Sequence, residues 1–316
     1  MRDFSPSFPT VPLLEKKVEF RSLQSKSSPS ELRNPYLQKA PARGTETFDN
    51  LSSEIRLNTK LAHSSARRRY TLKELNSSIN KDHYEIKEFM SGINWTLVTV
   101  TGKIKRQNTC GACYAYSSVA GLEALANLHR IRKPSNVFSE MQMIECSQDY
   151  LNEGCGGGMA VFVFNYVKDT GVFEETDYPI QVPYGSCRKQ AGQKRDFDDL
   201  DYVVLNANVM SILKALQYGP VVANFSIDNI FRMYKSGVLD KKGCSQVPSQ
   251  HSHSMLIVGY NLRSHIPYFI VRNSWGEGWG SKGYFNLEIG PLSVTNKGYC
   301  NCAAKRVNAF PFLASR

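Results

Sequence analysis

Cysteine is absent from the first 109 residues of this 316-residue chain, and all eight cysteines lie between positions 110 and 302. A cysteine-free leader followed by a cysteine-bearing region marks a boundary between two parts of the chain. Cysteines in this number favour disulfides, and disulfides imply an oxidising compartment.

Long apolar runs are also absent. No stretch of 18 apolar residues occurs, so no membrane-spanning helix is predicted. The first residues, M-R-D-F-S-P-S-F-P, lack the apolar core of a secretory signal. Either a signal is missing from this sequence, or the chain is not secreted and its cysteines stay reduced. We favour a missing start.

The sequence contains no recognisable nucleic-acid-binding module. The net charge of +11 is spread along the chain rather than massed, apart from Arg67, Arg68 and Arg69. We therefore expect a solvated basic surface and no nucleic-acid partner. A hydrophobic content of 41% is enough for a sizeable core.

The run C-G-A-C-Y at residues 110–114 is the most informative motif. A small turn ending in Cys113 and followed by A-Y-S-S-V-A-G-L-E can place this thiol at the first turn of a helix. There the helix dipole and the free backbone N–H groups favour the thiolate and lower the pKa of the thiol. In isolation, Cys110 and Cys113 also fit a redox pair or half of a zinc site.

Two blocks far downstream argue against those alternatives. His253 stands in H-S-H-S-M-L-I-V-G-Y, 140 residues after Cys113, and Asn273 stands in N-S-W-G-E-G-W-G, 160 residues after it. His251 and His253 together with Cys300 and Cys302 could suggest metal ligation. No C-x₂-C pair of matching spacing accompanies them, so no metal site is predicted.

With these motifs the chain resembles the papain-like cysteine proteases, nearest the cathepsin L branch. The resemblance covers roughly residues 89–316 and includes F-S-E-M-Q-M-I-E-C-S (138–147), G-C-G-G-G (154–158) and Y-K-S-G-V (234–238). It implies an α+β, two-lobed papain-like fold: a helical lobe, a β-barrel-like lobe and a cleft between them, preceded by a pro-segment. It implies no cofactor.

Hydrophobic periodicity agrees with that architecture. The first half of the cysteine-bearing region has helical spacing at 113–128 and 158–169. From about residue 200 the pattern becomes strand-like, with short β-rich runs bounded by Gly, Pro or Asn at 221–227, 255–260, 268–272 and 283–287.

The resemblance also assigns catalytic roles. Cys113 would be the nucleophile, paired as a thiolate with the imidazolium of His253. Asn273 would orient the His ring, and Gln107 would donate to the oxyanion together with the backbone N–H of Cys113. Trp275 would shield the bond between Asn273 and His253 from water.

Substrate-binding positions follow from the same resemblance. Gly157 and Gly158 would let a substrate backbone approach and pair in strand fashion. Met159 and Ala160 would line the pocket for the side chain two residues before the cleaved bond. Two alignments put either Lys305 or Val307 at the base of that pocket.

Three disulfides are implied by the resemblance, and Cys302 is left over. We expect Cys302 to be a buried free thiol, the alternative being a second possible partner for Cys244. The implied pairs are Cys110 with Cys155, Cys146 with Cys187, and Cys244 with Cys300.

Four positions depart from the family pattern. Tyr114 replaces Trp, Asn108 replaces Gly, Ser252 replaces Asn or Asp, and Gly156 stands where Asn is frequent. None of these changes removes a catalytic group, but together they leave room for weakened activity or altered specificity. The expected function is a cysteine endopeptidase, and the alternative is a non-catalytic papain-fold binding or regulatory protein.

Residues 1–88 resemble a degenerate pro-segment, and residues 89–316 form the protease domain. Residues 1–45, rich in Ser and Pro, are expected to be disordered, and 48–58 to be helical. By analogy the segment would fold over the site and block it, the alternative being a plain tail. The expected partners are protein and peptide substrates and the chain's own pro-segment. We expect a monomer, and the resemblance implies a lysosomal or extracellular location.

Overall fold

Two hydrophobic cores lie on the two faces of one β-sheet. The structure, a computed structural model, describes residues 48–98, 103–131, 137–188, 197–241, 244, 252–303 and 308–315. All of these residues belong to one unit, Glu31–Arg316. The predicted disorder of residues 1–45 falls outside the described residues.

Within the described part of the chain the sheet contains eight strands: β1 (Gly92–Asn94), β2 (Leu200–Val204), β3 (Val221–Ser226), β4 (Val238–Leu239), β5 (Ser252–Asn261), β6 (Tyr268–Arg272), β7 (Tyr284–Glu288) and β8 (Ala309–Leu313). Their order is β2-β8-β3-β5-β6-β7-β4, and β1 pairs with β5 beside this path. Every pairing is antiparallel except the one between β4 and β7.

The central strands β3 and β5 are buried on both faces. Successive side chains of a strand point to opposite faces, and here both faces meet apolar partners. On β5, Met255 and Ile257 belong to one core, whereas Leu256 and Val258 belong to the other. The long apolar runs in these strands are therefore explained by two cores that share one sheet.

Helices contribute side chains to both cores. They are α1 (Phe48–Ala66), α2 (Leu72–Ile79), α3 (Cys113–His129), α4 (Glu140–Cys146), α5 (Ala160–Thr170), α6 (Val209–Ala215) and α7 (Asn229–Arg232). Short 3₁₀ turns lie at 86–88, 95–98, 148–150, 154–156 and 299–301. The helical first half and the strand-rich second half were both predicted from periodicity.

Helix α3 carries Cys113 as its first residue and is almost wholly buried. It packs against β5 and α5. Its C-terminus is closed by Arg130, which adopts φ 54° and donates its N–H to the carbonyls of Ala126 and Asn127. A buried central helix of this kind holds its N-terminal residue in a fixed place against the sheet.

Residues that precede the predicted protease domain belong to the same core as the strands. Leu75 and Ile79 of α2 are fully buried, together with Tyr84, in the core that contains Ile212 and Leu213 of α6. Helix α1 continues to residue 66, beyond the predicted end at 58, because Ala62 and Ala66 are also buried there.

The described half of the predicted pro-segment, 48–88, makes contacts far from Cys113. Arg67 Nε donates to the carbonyl of Leu128 at 3.1 Å, in the last turn of α3 and about 22 Å along the helix from Cys113. Arg69 forms an ion pair with Asp199 at 2.7 Å. Residues 1–47 lie outside the described residues, so inhibition by this segment stays a prediction.

Three disulfides are present, and they join the pairs implied by the resemblance: Cys110–Cys155, Cys146–Cys187 and Cys244–Cys300. The first ties the turn before α3 to the glycine-rich turn at 154–158. Gly111 N–H donates to the carbonyl of Cys155 at 3.1 Å, and a Cβ on Gly111 would collide with that carbonyl. Only glycine fits at position 111.

Of the helices within the described ranges, none combines the length and the apolar character needed to cross a membrane.

Candidate active site

Cys113 is a free thiol at the N-terminus of α3. The helix start carries no side-chain cap and no acidic residue in its first turn, as far as the described residues show. Its first N–H groups therefore stay available, and the positive end of the helix dipole lies at the sulfur. This is the local geometry that the C-G-A-C-Y motif predicts.

Burial changes the expected electrostatics of this thiol. Desolvation raises the pKa of Cys113, while the nearby backbone N–H groups of Ser254, Tyr114 and Cys113 act in the opposite direction. A helix N-terminus and a neighbouring imidazolium together predict a lowered pKa for this thiol. Desolvation of an anion between two packed lobes, which no motif reveals, acts in the opposite direction.

His253, on β5, is held by Asn273 and covered by Trp275. Its Nε2 lies 2.8 Å from Asn273 Oδ1. Since the amide oxygen can only accept, Nε2 carries the proton and the other ring nitrogen, Nδ1, is left as the base. Trp275 stacks on the imidazole with ring centroids 4.9 Å apart and an interplanar angle of 26°, so it shields this bond from solvent.

The pKa of His253 is lowered to about 4, chiefly by burial and further by the charge of Arg232. The hydrogen bond to Asn273 acts in the opposite direction. Burial thus favours a neutral imidazole here, as it favours a neutral thiol at Cys113. The predicted ion pair would form by transfer of the Cys113 proton to His253.

Ser254 connects the histidine strand to the nucleophile helix. Its Oγ lies 2.8 Å from Ser117 Oγ, one turn after Cys113, and its backbone N–H acts on the Cys113 sulfur. The residue next to His253 therefore lies against the first turn of α3. Neither serine was singled out from the sequence, because the pairing depends on contact between a helix and a strand 137 residues apart.

Gln107 is buried and held from both sides. Its Nε2 donates to the carbonyl of Cys110 at 2.9 Å, and Ser274 Oγ donates to its Oε1. The backbone N–H of Gln107 also donates to the carbonyl of Ser274 at 2.9 Å. An amide nitrogen carries two N–H groups, so one remains for a substrate oxygen among the described contacts. The adjacent residues Asn273 and Ser274 therefore orient His253 and Gln107.

The glycine-rich turn lies on the helical side. Gly157 has φ 132°, and a Cβ built there would meet nothing within 4 Å. Gly158 is exposed, and a Cβ on it would collide with Asn152 Oδ1. That oxygen accepts the N–H of Met159 at 2.9 Å. The turn thus presents bare backbone to the solvent.

Met159 is half-buried, whereas Ala160 is buried at the start of α5. Lys305 and Val307, the two predictions for the pocket base, lie outside the described residues, and so does His251. Cys302 is a fully buried free thiol whose pKa is raised to about 12 by burial.

Two departures from the family pattern have structural explanations. Asn108 adopts φ 55°, a left-handed conformation that Asn tolerates better than most residues other than Gly. Tyr114 is buried and donates its hydroxyl to the carbonyl of Gly154 at 3.1 Å. Tyr114 therefore supports the glycine-rich turn from inside the helical lobe.

A buried charge cluster lies behind the site. Lys105 Nζ contacts Glu140 at 2.6 Å, Glu175 at 3.4 Å and Glu123 at 3.7 Å, and it donates to the carbonyl of Phe138 at 2.7 Å. Burial raises the pKa of Glu140, whereas the lysine beside it acts in the opposite direction. Within the described ranges no group of three or more His, Cys, Asp or Glu residues could hold a metal ion.

Comparison with known proteins decides the family. The family model described as "Papain family cysteine protease" matches residues 91–309. The chain belongs to the papain family of cysteine proteases. A solved structure of the bromelain protease from Ananas comosus, in complex with the E64 inhibitor, aligns with a TM-score of 0.59 and 27% identity, covering 71% of this chain and 99% of that one. The papain-like α+β fold is confirmed.

Relatives of the papain family come from animals and plants. Pro-cathepsin H of Bos taurus is 32% identical over 203 residues, which cover 64% of this chain and 58% of that protein. Thiol protease aleurain of Arabidopsis thaliana is 32% identical over 224 residues, covering 68% and 60% respectively. The chain thus spans less than two thirds of the length of these relatives. The nearer resemblance to the cathepsin L branch stays a prediction.

Proposed function

We propose that this papain-family protein is a cysteine endopeptidase in which Cys113 and His253 hydrolyse peptide bonds. The observation that carries the proposal is the arrangement around the imidazole. Asn273 holds Nε2, Trp275 covers the ring, and the neighbouring Ser254 lies against the helix turn that begins with Cys113. This leaves Nδ1 as the base beside a thiol at a helix N-terminus.

The reaction begins with transfer of the Cys113 proton to His253, giving the thiolate–imidazolium pair. The thiolate attacks the scissile carbonyl carbon, and the carbonyl oxygen becomes an oxyanion. Gln107 Nε2 and the backbone N–H of Cys113 donate to that oxyanion, and the loss of one such donor typically lowers the rate by about 10²–10³.

His253 then gives its proton to the leaving amine, and the carbon–nitrogen bond breaks. The acyl group remains on Cys113 as a thioester. Water, deprotonated by His253, attacks the thioester and releases the carboxylic acid and the thiol. Burial disfavours a lone charge on Cys113 and on His253. The thiolate and the imidazolium therefore stabilise each other most when one proton transfer creates both charges at once.

Substrate backbone would bind along the bare turn at Gly157 and Gly158. The open space at Gly157 supports this assignment, because a strand-like peptide needs close approach to the turn. Met159 and Ala160 are proposed to line the pocket for an apolar side chain two residues before the cleaved bond. Burial of a Leu or Phe side chain there contributes roughly 1.5–3 kcal/mol.

Endopeptidase action is the finer part of this proposal, since the relatives include pro-cathepsin H. Closing one end of a papain-type cleft normally takes an added loop, and the sequence has no His-containing insertion of that sort between its disulfide blocks.

We propose protein and peptide substrates, a precursor inhibited by its own N-terminal segment, a monomeric state and a lysosomal or extracellular location. The three disulfides support an oxidising compartment.

The deciding experiment is turnover of a dipeptidyl fluorogenic substrate by the full chain after acid activation, with and without an epoxysuccinyl inhibitor. Substrates with blocked and free amino termini are compared. We expect cleavage of the blocked substrate, inhibitor attached to Cys113, and loss of both in Cys113→Ala. Cys302→Ala is the matched control and should keep both, because Cys302 is buried. Cleavage of the free substrate alone would indicate an aminopeptidase. No cleavage and no labelling would support a non-catalytic binding protein.

A further inference from the structure

An open cavity of about 670 Å³ adjoins the proposed catalytic histidine. Trp275, which stacks on the His253 ring, forms one of its walls, and Trp279 forms another. The segment that joins Gln107 to Cys110 lines the opposite side through Asn108. The cavity therefore lies beside the imidazole and the proposed oxyanion donor, and away from the glycine-rich turn.

The chemistry assigns this cavity to one half of the substrate. His253 has to protonate the leaving amine, so the part of the substrate that follows the scissile bond must lie on the histidine side of Cys113. The acyl half lies toward Gly157 and Gly158. Residues that follow the cleaved bond would accordingly pass over Trp275 and enter the cavity.

Cations dominate the lining of the cavity. Arg106, Arg232 and Lys235 contribute three positive charges, whereas Glu277 contributes one negative charge. All four side chains belong to exposed residues. A concave surface with an excess of one sign of charge concentrates ligands of the opposite sign.

Arg232 is held in place more firmly than an ordinary surface arginine. Its guanidinium lies over the Trp275 ring, 5.7 Å from the centroid, and its backbone carbonyl accepts the Trp279 indole N–H at 3.0 Å. Phe231 packs against both tryptophans, with centroid distances of 5.5 and 5.1 Å. The aromatic cluster thus fixes a positive charge directly above the residue that covers His253.

Carboxylate partners hold some of the other surface cations in the described part of the chain. Arg68 pairs with Glu74 at 3.3 Å, and Lys87 pairs with Glu85 at 2.5 Å. In the part of the chain that the structure describes, no ion pair joins Arg106, Arg232 or Lys235 to a carboxylate. Three cations that face one cavity are therefore free to bind an external anion.

We propose that this cavity binds a carboxylate on the leaving-group side of the scissile bond, through Arg232 and Lys235 with support from Arg106. The inference rests on the proposed peptidase function and names its substrate class. The carboxylate is either an Asp or Glu side chain just after the cleaved bond, or the free carboxyl terminus of a short substrate. Both present the same anion to the same cations.

Carboxylate binding would also assist the chemistry. The positive charge of Arg232 lowers the pKa of His253. A carboxylate bound beside Arg232 offsets that charge, which favours the protonated imidazole at the stage when the leaving amine needs a proton. Selectivity should therefore be visible in kcat as well as in binding.

A binding experiment tests the inference without turnover. The Cys113→Ala protein, processed beforehand by added active enzyme, is titrated with three product-like peptides, Ala-Asp-Ala amide, Ala-Asn-Ala amide and Ala-Asn-Ala with a free carboxyl terminus, and the fluorescence of the cavity tryptophans is followed. We expect the Asp peptide, the free-acid peptide or both to bind about three- to tenfold more tightly than the Asn amide. The preference should shrink at about 0.5 M salt.

Charge-matched variants locate the preference. Arg232→Gln with Lys235→Gln should bring the affinity ratios close to one. Lys73→Gln with Lys168→Gln removes the same charge from exposed positions that do not line the cavity, and it should leave the ratios as they are. Equal affinities for all three peptides, or a preference that survives in the first pair of variants, would overturn the inference.

Measurements of peptide cleavage distinguish a failure of this inference from a failure of the proposed function. Internally quenched peptides with Asp or Asn at the first or second position after the cleaved bond should give a kcat/KM ratio about three- to tenfold in favour of Asp. Cleavage of both with a ratio of one, together with equal binding, refutes the carboxylate site alone. If neither peptide is cleaved, the proposed peptidase function is refuted. The binding experiment then still tests whether the cavity binds a carboxylate.

Discussion

Asn273 Oδ1 lies 2.8 Å from His253 Nε2, while Asn273 Nδ2 is buried with no partner within the described structure. The amide therefore acts on the histidine through its oxygen alone. Oδ1 also accepts the backbone N–H of Ser274 at 2.7 Å, which fixes its direction. The proposed role of Asn273 is to hold the ring with Nδ1 as the base.

Replacing Asn273 tests that role. Asn273→Ala should lower kcat/KM by about 10- to 100-fold, a part of the 10²–10⁴ that general acid–base catalysis contributes. Because this hydrogen bond raises the pKa of His253, its loss should also lower that pKa. An NMR titration of His253 in the Cys113→Ala background measures the shift, since the thiol no longer titrates beside it. An unchanged rate and an unchanged titration would refute the assignment.

Acid stability should depend on two histidines. The pKa values of His129 and His253 are lowered to about 4 by burial, against 6.5 for an unfolded chain. Above pH 6.5 both are neutral in either state. As pH falls from 6.5 to 4, the unfolded chain binds protons that the folded chain does not, so stability decreases. The loss reaches about 3 kcal/mol for His253 and less for the half-buried His129.

Urea unfolding at several pH values measures this effect. The difference between the wild-type curve and the His253→Gln curve isolates that histidine from buried carboxyls such as Glu140, whose raised pKa gives the opposite sign. His83→Gln is the control, because His83 is exposed. A difference that stays constant between pH 7 and 4 would contradict the prediction.

The buried lysine and its carboxyl neighbours should respond unequally to substitution. Lys105→Met leaves Glu123 and Glu175 without their cation and should destabilise the fold by about 3–5 kcal/mol. Glu140→Gln should lower stability less than Lys105→Met does, because Lys105 keeps Glu123 and Glu175 as partners and Gln preserves an acceptor. Chemical denaturation at pH 7 compares them, and equal losses would contradict the charge assignment.

The N-terminal segment should matter for stability whatever its regulatory role. Ile79 is fully buried beside the helix that carries Ile212, so Ile79→Ala should destabilise the protein by about 2–5 kcal/mol. Leu72→Ala, at the exposed start of the same helix, should change stability by less than about 1 kcal/mol. Thermal unfolding compares the two variants, and similar losses would show that α2 does not belong to the core.

Inhibition by residues 1–88 is a separate question. The segment supplied as its own chain should inhibit the processed enzyme at micromolar concentration, and more strongly at neutral than at acidic pH. Because 48–88 contacts the far end of α3, residues 1–47 would have to supply any cover over the cleft. A chain that lacks 1–47 should then be active without processing. Equal activity of both forms would count against a blocking segment.

Local patterns predicted the elements that carry the site. The strands expected at 221–227, 268–272 and 283–287 are found at 221–226, 268–272 and 284–288, because short β-rich runs bounded by Gly, Pro or Asn suffice to mark a strand. The helix expected at 113–128 extends by one residue. Strands β2 and β8 and helix α6 were not predicted, since their burial depends on partners distant in sequence.

The candidate site was likewise only partly predictable from local sequence patterns. The positions of Cys113, His253, Asn273 and Gln107 in the chain could be recognised from motifs. The desolvation that raises the pKa of Cys113 could not be recognised from motifs, because it depends on the lobe that packs over the helix. Ser117, Ser254 and Arg232 were missed for the same reason, as nothing in their own neighbourhoods marks them. The structure brings them to the site through contacts between helix, strand and turn.

Because both cores share one sheet, neither half of the protein should fold without the other. Leu256 and Ile257 are neighbours in the chain, yet each completes a different core. A fragment that contains only the helical half would expose the apolar side chains that β5 now covers, and a fragment that contains only the strands would lose one side of its sheet. The change from helical to strand-rich sequence near residue 200 is therefore not a place where the chain can be cut into autonomous folding units, and the two lobes should melt together in one transition.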